Sequence, residues 1–381
     1  MSTPRRVTRR DFLQGKAAAE AVADLAAGVS FEDGGAAEAE STRREVQTDE
    51  SFSVPRCGDP RYLVTLNRRA MACNFAIYLN AGQYVEGTDA ALEALDLVDR
   101  LEDQLTIYRD TSELIEVNRR AGVAAVEVEA GLFDLLHLAL RIHDETDGAF
   151  DITAGPLSQA WGFSRREGHV PDEDEIEAAL DRVGSRYVQL DEAAQTVRFL
   201  RSDMELSVNG IGKGYALDRG GAVLREAGVT DFLFHGGQSS VLASGSYAAA
   251  GGRGWTVGLT HPMRPQQRIA EFFLRDRALG TSGSGIQSFH AGGRRYGHVL
   301  DPRTGWPVEG VYSATVLAPT AAEADALATA FYVLGPDHAE EVCQRRPELA
   351  MALVCCGPRE GAIELFTHGL TDDDWRAPSR V

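Results

Sequence analysis

The order of strand and helix patterns constrains the fold of this chain more than any other feature of its sequence. Segments that alternate apolar and polar residues outnumber helical segments, and several follow one another directly. Consecutive strands favour an α+β fold over a doubly wound parallel sheet. We therefore predict mixed or antiparallel sheets with packed helices. The predicted strands are 62–66, 74–79, a hairpin turning around 191–195, DMELSV, TDFLFHGG, GWTVGLT, AEFFLRD, RRYGHVLD, YSATVLAP, MALVCCG and AIELFT.

Four long segments have the apolar spacing of helices, and the last of them carries an unusual polar pair. EADALATAFYVLG, residues 323–335, is nearly all apolar, yet it contains the carboxylate of Asp325 and the hydroxyl of Thr329. Residues four apart project from one face of a helix, so these oxygens lie side by side. Thr320 and Glu323 have the spacing of a capping box, so neither member of the pair is needed as a cap. The other predicted helices are ALEALDLVDRLEDQLTIY, GLFDLLHLALRIHDETDG and KGYALDRGGAVLREAG.

The Asp325–Thr329 pair has two interpretations. It could belong to a solvated helix face, or it could bind a metal ion. Ala322, Ala326 and Ala330 flank the pair, and such small neighbours permit the close approach of a large ligand. Carboxylate and hydroxyl oxygens are hard ligands that suit Mg²⁺, whose remaining ligands are often substrate phosphate oxygens. From the residues alone, both interpretations stay open.

The charge balance excludes some classes of partner. The chain has 57 acidic and 38 basic residues and a formal net charge of −19, so it would be repelled by nucleic acid and by anionic membranes. The five cysteines have no metal-ligand spacing, and a chain of 381 residues does not need a disulfide framework. No run of residues reaches the roughly 18 apolar residues of a membrane span.

The chain divides into three predicted regions. Residues 1–30 form a twin-arginine-like segment, because TRRDFLQG places Arg9 and Arg10 before Phe12 and Leu13. Residues 31–58 are a flexible acidic linker without apolar periodicity, and residues 59–381 form the folded domain. Acidic residues interrupt the stretch after the arginines, so export to the cell envelope and retention in the cytoplasm both stay open. The sequence does not indicate the oligomeric state.

Glycine-rich clusters contain two candidate catalytic residues. In NGIGKGY, three glycines surround Lys213 just before a helix, which suits phosphate binding, although a helix-entry turn with a solvated lysine is the alternative. The spacing fits neither a Walker A loop nor a dinucleotide fingerprint. In HVLDPRTG, His298 ends a predicted strand, where it is either a general base or acid or a core residue. In TAGPLSQAWGF, Pro156 is expected to begin a helix and Trp161 to fill the core.

Taken together, these segments resemble the FAD:protein FMN transferase family, also called the ApbE family of flavin transferases. That family shows a Met-Gly-Thr strand, a Tyr before D-S-E-L, G-x-F-D-x-T-x-G-P-L-x-x-x-W-G-F, D-L-G-G-I-A-K-G-Y-A-x-D, G-G-D, T-S-G, H-x-x-D-P-x-T-G and A-D-A-x-x-T-A. The corresponding segments here are MACNF, YRDTSELIEVN, GAFDITAGPLSQAWGF, SVNGIGKGYALD, HGGQSS, TSGSG, HVLDPRTG and ADALATA, between about residues 61 and 367. Eight motifs in register are a specific signal.

The resemblance implies an ApbE-like fold, with the active site in a cleft between two subdomains. It implies a Mg²⁺ ion held by Asp325, Thr329 and the backbone carbonyl of Gly210. It also implies that His298 and Lys213 are catalytic. Residues implied to contact FAD are Met71, Tyr108, Ala149, Phe150, Asp151, Ser207, Lys213, His298 and Ala328.

The implied reaction cuts FAD at its diphosphate, releases AMP and leaves FMN on a threonine of an acceptor protein, typically part of an electron-transfer complex. Some positions depart from the family pattern: Ser207 replaces the Asp of D-L-G-G, Asn209 the following Gly, and Gln238 the Asp of G-G-D, while Ser284 follows TSG where Asp or Ser-Tyr is usual. Two lost carboxylates leave two alternatives open. One is a non-catalytic FAD-binding protein, and the other is an FAD diphosphatase that yields FMN and AMP.

Overall fold

Eight strands pair into one antiparallel sheet in the computed structural model of this protein, which describes residues 62–283, 287–359 and 361–377. The predicted α+β class is confirmed. The expected export segment, the linker, Cys57 and Ser284 lie outside the described residues. In spatial order the strands are β1 (Leu63–Ala70), β2 (Cys73–Asn80), β6 (Phe232–Gly236), β7 (Ser240–Ser244), β10 (Arg277–Gly283), β13 (Val311–Ala318), β14 (Ala350–Cys356) and β15 (Ile363–His368).

Three smaller antiparallel sheets complete the described strands. The predicted hairpin around residues 191–195 is confirmed, since Asp191 pairs with Thr196 across the turn. The small sheets are β3 (Val126–Glu127) with β5 (Thr196–Phe199) and β4 (Val188–Asp191), β8 (Trp255–His261) with β9 (Arg264–Leu274) and β16 (Trp375–Arg376), and β11 (Ser288–Ala291) with β12 (Arg294–Gly297).

The strand predicted for DMELSV is wrong. The Asn118 side chain donates to the Leu206 carbonyl at 2.9 Å and accepts from the Leu206 N–H at 2.7 Å. The Ser207 N–H then donates to the Ile152 carbonyl at 2.7 Å. A side chain and a loop therefore satisfy the backbone groups that a neighbouring strand would otherwise pair.

Seven α-helices occur in the described ranges, and the four long predicted helices are among them. Pro156 lies in the first turn of a short helix, as predicted, and Trp161 is fully buried. The helices are α1 (Gly87–Leu105), α2 (Glu113–Arg120), α3 (Ala130–Glu145), α4 (Gly155–Ala160), α5 (Glu173–Leu180), α6 (Gly212–Glu226) and α7 (Ala321–Arg345). None of the helices in the described part of the chain is long and apolar enough to cross a bilayer.

The central strands of the large sheet are buried on both faces, and strand β14 shows how their side chains divide. Met351 and Leu353 belong to the core formed with the helices, whereas Ala352 and Val354 belong to a second core. Successive strand residues point to opposite faces, so the alternation follows from strand geometry. The second core includes Phe272 of β9, so the sheet of β8, β9 and β16 lies on the face opposite the helices. A separate apolar cluster forms around Trp161.

Helix α7 is broken at Gly335 and folds back on itself. Gly335 has φ of +73°, a left-handed value, and Pro336 follows it inside the assigned helix. A straight helix would separate residues 323 and 346 by about 34 Å, at 1.5 Å per residue. Instead Arg346 Nη2 donates to Glu323 Oε1 at 2.9 Å. The two segments therefore form a helical hairpin, and Asp325 and Thr329 lie in its first segment.

Candidate functional site

Asp325 is buried, and only one of its carboxylate oxygens is held by the protein. The Gly214 N–H and the Ser240 hydroxyl both donate to Oδ2, each at 2.8 Å. Among the described residues, no donor reaches Oδ1. Asp325 is 7% exposed, which is inconsistent with a solvated helix face. Burial raises the pKa of Asp325, while the nearby Lys213 ammonium and the two hydrogen bonds oppose the rise.

Thr329 lies one turn further along the same helix and close to Gly210. Its hydroxyl donates to the Asp325 carbonyl at 3.3 Å, and its Oγ1 lies 2.9 Å from the Ser282 hydroxyl oxygen. A Cβ placed on Gly210 would lie 3.8 Å from Thr329 Oγ1 and 3.1 Å from the Phe150 ring. The structure therefore brings together the three residues expected to bind the metal.

The donor chemistry of these residues fits a small hard cation. One oxygen of a buried carboxylate, to which no described residue donates, a hydroxyl oxygen and a neighbouring backbone carbonyl are the kind of oxygen ligands that Mg²⁺ takes. In the described ranges, no group of three or more His, Cys, Asp or Glu side chains could hold a metal. A site with a single carboxylate requires further oxygen ligands, which the phosphates of a substrate can supply.

The small residues of α7 have a role that the sequence did not indicate. A Cβ on Gly214 would overlap the backbone of Ala321, and a Cβ on Gly280 of strand β10 would overlap the backbone of Ala324. The flanking residues Ala322, Ala326 and Ala330 are buried as well. Protein therefore covers these alanines, and they allow α6 and β10 to approach the helix closely.

Lys213 occupies the first turn of α6, beside the residues that hold Asp325. Burial raises the pKa of Asp325 and of Cys73, and in both cases the positive charge of Lys213 opposes part of this rise. Cys73 begins strand β2 and lies next to Gly237, since a Cβ on that glycine would be 3.5 Å from its Sγ. The Lys213 ammonium is therefore close to both Asp325 and the β1–β2 turn.

Met71 and Ala72 form that turn with φ values of +46° and +58°. Ala70 pairs directly with Cys73, so this is a two-residue hairpin turn with both central residues in the left-handed region. Asn and Gly are the usual residues there, and neither is present. The turn holds the half-buried Met71 side chain at the ends of strands β1 and β2.

His298 follows strand β12 and is held in one tautomer. Its Nδ1 lies 3.1 Å from the Gln287 carbonyl oxygen, which only accepts, so Nδ1 carries the hydrogen. Nε2 then has a free lone pair. Burial lowers the pKa of His298 below its usual value, so the imidazole is neutral at pH 7. The Phe163 ring meets the imidazole edge-on, with centroids 6.4 Å apart.

The remaining residues predicted to contact FAD differ in how far their side chains are exposed to solvent. Tyr108, between α1 and α2, is 72% exposed, whereas Ala149, Phe150 and Ala328 are buried by protein. Ser207 is half-buried in the segment before α6. Neither Tyr108 nor His298 hydrogen-bonds to Asp325 or Thr329 within the described residues. The metal-binding candidates are thus one cluster, and these two rings lie on other elements.

The Asp151 carboxylate is fully engaged by protein groups. Its Oδ1 accepts from the Thr153 and Ser185 hydroxyls at 2.6 and 2.7 Å, and its Oδ2 lies 3.3 Å from His143 Nδ1. Burial by itself raises the pKa of Asp151, but the hydrogen bonds from these partners bring it below its usual value. This carboxylate therefore fixes the loop that follows α3.

Sequence reasoning missed three side chains that hold the cluster in place. Ser240 and Ser282 contact Asp325 and Thr329 from strands β7 and β10. Asp218 of α6 accepts from the N–H groups of Ala321 and Ala322 at 2.8 and 2.9 Å. The two serines lie in the HGGQSS and TSGSG segments. A polar residue inside a buried strand is the sequence feature that could have indicated their role.

Comparisons with known proteins show what the chain is similar to in sequence and in fold. Residues 71–353 match the ApbE family. The chain is 33% identical over 284 residues to the FAD:protein FMN transferase of Salmonella typhimurium, which covers 71% of this chain and 79% of that protein. The crystal structure of the ApbE protein from Thermotoga maritima superposes with a TM-score of 0.71 and 28% identity, over 80% of this chain and 97% of that one. The apo flavinyl transferase ApbE from Pseudomonas stutzeri gives 0.69 and 26%, over 81% and 94%.

Proposed function

This chain belongs to the ApbE family, and from that premise we propose that it transfers FMN from FAD to a threonine of an acceptor protein and releases AMP. The observation that carries the proposal is the buried Asp325, whose Oδ2 is held by two donors while Oδ1 is left for a ligand. A buried carboxylate with a free oxygen beside a hydroxyl is costly unless a cation binds there.

The residues that would hold Mg²⁺ are Asp325, Thr329 and the carbonyl of Gly210. When bound, the ion would neutralise the charge that develops on the FAD diphosphate during transfer. Asp325 contributes the negative charge, and the Gly214 N–H and Ser240 hydroxyl orient it. Lys213, at the N-terminus of α6, is placed to bind a phosphate oxygen, since helix N-termini and lysine both favour anions.

His298 is the candidate general base. Its Nδ1–H is fixed by the Gln287 carbonyl, so Nε2 can accept the proton of the acceptor threonine. The threonine oxygen then forms a bond to the phosphorus of the FMN half. The bond between this phosphorus and the bridging oxygen breaks, and AMP leaves with the bridging oxygen. Transfers of this kind depend mainly on positioning and charge stabilisation.

The departures at Ser207 and Gln238 support two alternative functions. Gln238 is exposed in the β6–β7 turn, and Ser207 is half-buried before α6, so neither position supplies a carboxylate. A chain without these charges could retain FAD without transfer, or could pass FMN to water.

One assay separates the three functions. The full chain is incubated with FAD, Mg²⁺ and a threonine-containing peptide from a flavinylated subunit. We expect flavin fluorescence on the peptide after gel electrophoresis, together with AMP. Free FMN with AMP would indicate a diphosphatase, and intact FAD would indicate a binding protein. Omitting the metal by adding EDTA is the control for metal dependence.

We also propose that the acceptor belongs to an electron-transfer complex and that the protein acts in the cell envelope, with the cytoplasm as the alternative. The support is the resemblance and the Arg9–Arg10 pair. Fusing residues 1–60 to a periplasmic reporter tests export, and the control replaces both arginines with lysine. Reporter activity that is equal in both fusions would contradict the twin-arginine route.

A further inference from the structure

Helices α6 and α7 meet through three contacts at matched spacing. The contact positions lie four residues apart in the segment that begins just before α6 and continues into it. On α7 they also lie about four residues apart, but they follow in the opposite order along the chain. Four residues is about one helical turn, so the two helices lie side by side and run in opposite directions. The contacts, in order, are Gly210 with Thr329, Gly214 with Asp325, and Asp218 with Ala321 and Ala322.

The last of these contacts is not needed to begin helix α7. Thr320 is the N-cap, and its hydroxyl oxygen accepts from the Glu323 N–H at 3.3 Å. Asp218 instead accepts from the two preceding N–H groups, one with each carboxylate oxygen. A bidentate contact of this kind fixes both distance and direction between two elements.

The capping is also reciprocal. Asp218 of α6 binds the first turn of α7, and Asp325 of α7 binds the Gly214 N–H in the first turn of α6. Between these two contacts, Gly214 packs directly on the backbone of Ala321 with no side chain between the helices. The two carboxylates, one from each helix, therefore tie the helices together where Gly214 lets their backbones meet.

We propose that Asp218 is a positioning residue for the metal site, because it fixes the register that places Gly210 beside Thr329 and Asp325. This inference rests on the proposed function. Asp218 is two turns from Gly210, so it acts through the helix and contacts no ligand itself.

The distances involved make this register decisive. A slip of one residue along a helix moves atoms by about 1.5 Å. Metal–ligand distances tolerate only about 0.2 Å, and Mg²⁺ requires near-ideal geometry. A shift far smaller than one residue is therefore enough to weaken binding without unfolding the protein. Burial also raises the pKa of Asp218 to about 6, so the fold retains an unfavourable carboxylate at this position.

The test measures metal binding in the full chain without turnover. Mn²⁺ replaces Mg²⁺, and its free concentration is followed by electron paramagnetic resonance in the presence of FAD. Asp218→Asn keeps the size of the side chain but loses one acceptor. We expect at least tenfold weaker Mn²⁺ binding, and a transfer rate that returns to within about threefold of wild type at saturating metal.

The matched control is Asp172→Ala. Like Asp218, Asp172 is an aspartate that accepts from an N–H in the first turn of a helix, here the Glu175 N–H at 2.8 Å. It is the N-cap of α5 and has no hydrogen bond to α6 or α7 in the described residues. We expect this variant to lose thermal stability while its Mn²⁺ affinity stays within twofold of wild type. A role of Asp218 in stability alone predicts the same pattern for both variants.

Three results would overturn the inference. The first is a folded Asp218→Asn variant whose Mn²⁺ affinity lies within twofold of wild type. If Asp218→Asn does not fold, Asp218→Ser, which keeps one acceptor, is measured below its melting temperature with the same criterion. The second is an equal loss of affinity in Asp172→Ala. The third is the absence of Mn²⁺ binding to wild-type protein in the presence of FAD. That result would also contradict the metal site of the proposed function, whereas the first two results leave the proposed function intact.

Discussion

Replacing Asp325 by Asn should leave the stability nearly unchanged, whereas replacing it by Ala should lower the stability, and both changes should have the same consequence for function. In Asp325→Asn, the amide oxygen can take the place of Oδ2 and keep the bonds from Gly214 and Ser240. The variant loses a buried charge, which offsets the weaker hydrogen bonds, so we expect its unfolding free energy to lie within about 1 kcal/mol of wild type. In Asp325→Ala both donors lose their acceptor, at about 1–3 kcal/mol each, so a loss of roughly 2–6 kcal/mol is expected.

The assay has two stages. Urea unfolding without metal gives the stability difference between the variants. Thermal melting with and without Mg²⁺ and FAD then gives the ligand effect, since a ligand at a hundred times its Kd stabilises the folded state by about 2.7 kcal/mol. We expect wild type to show this gain and both variants to show none. FMN transfer should be lost in both.

Two outcomes would refute this reasoning. If Asp325→Asn is as unstable in metal-free urea as Asp325→Ala, the carboxylate charge is required by the fold and not by a ligand. If Asp325→Asn is still stabilised by Mg²⁺ with FAD to the extent of wild type, Oδ1 does not bind the metal.

Three further predictions concern other parts of the site. His298→Gln should slow transfer by about 10²–10⁴-fold. Because burial lowers the pKa of His298, the wild-type rate should fall only as the pH drops below the ordinary 6.5, and a fall that begins above 6.5 would contradict this. Gly214→Ala should destabilise the protein by about 3 kcal/mol or prevent folding, because the new methyl group meets the Ala321 backbone; wild-type unfolding in urea would contradict that contact. Glu323→Gln should cost about 1.5 kcal/mol in urea, because it weakens the charge-assisted hydrogen bonds from Arg346 and Arg141. The cost stays moderate since Arg346 keeps its ion pairs with Glu145 and Glu348, and an unchanged midpoint would show that the Glu323 pair is not needed.

The local parts of the fold and most strands of the large sheet could be predicted from the sequence, but two of its central strands could not. The β4–β5 hairpin and the amphipathic helices have regular apolar spacing, so their patterns were sufficient. Strands β7 and β10 were missed because SVLAS and RALGTSG contain serine, glycine and little alternation. Strand β10 tolerates Gly280 because the backbone of α7 lies directly against it. Packing between distant segments decides such strands.

The site was predictable only where its residues share one element. Asp325 and Thr329 could be paired because helical spacing places them on one face. Their partners Ser240 and Ser282 are 85 and 47 residues away, and no local pattern connects them. The alanines of α7 were interpreted as room for a ligand, but the structure fills that room with α6 and β10. Spacing reveals which groups are close along a helix, and it does not reveal what covers them.

The fold-back of α7 at Gly335 gives the far end of this helix an influence on its active face. Gly335 lies twelve positions after Glu323, and Arg346 lies eleven positions after Gly335. The two arms of the hairpin are therefore nearly equal in length, so the carboxylate and the guanidinium meet. Deleting or adding one residue in the distal arm would turn its end by about 100° and displace it by about 1.5 Å. Homologues that vary in length between 336 and 345 should therefore lose this ion pair.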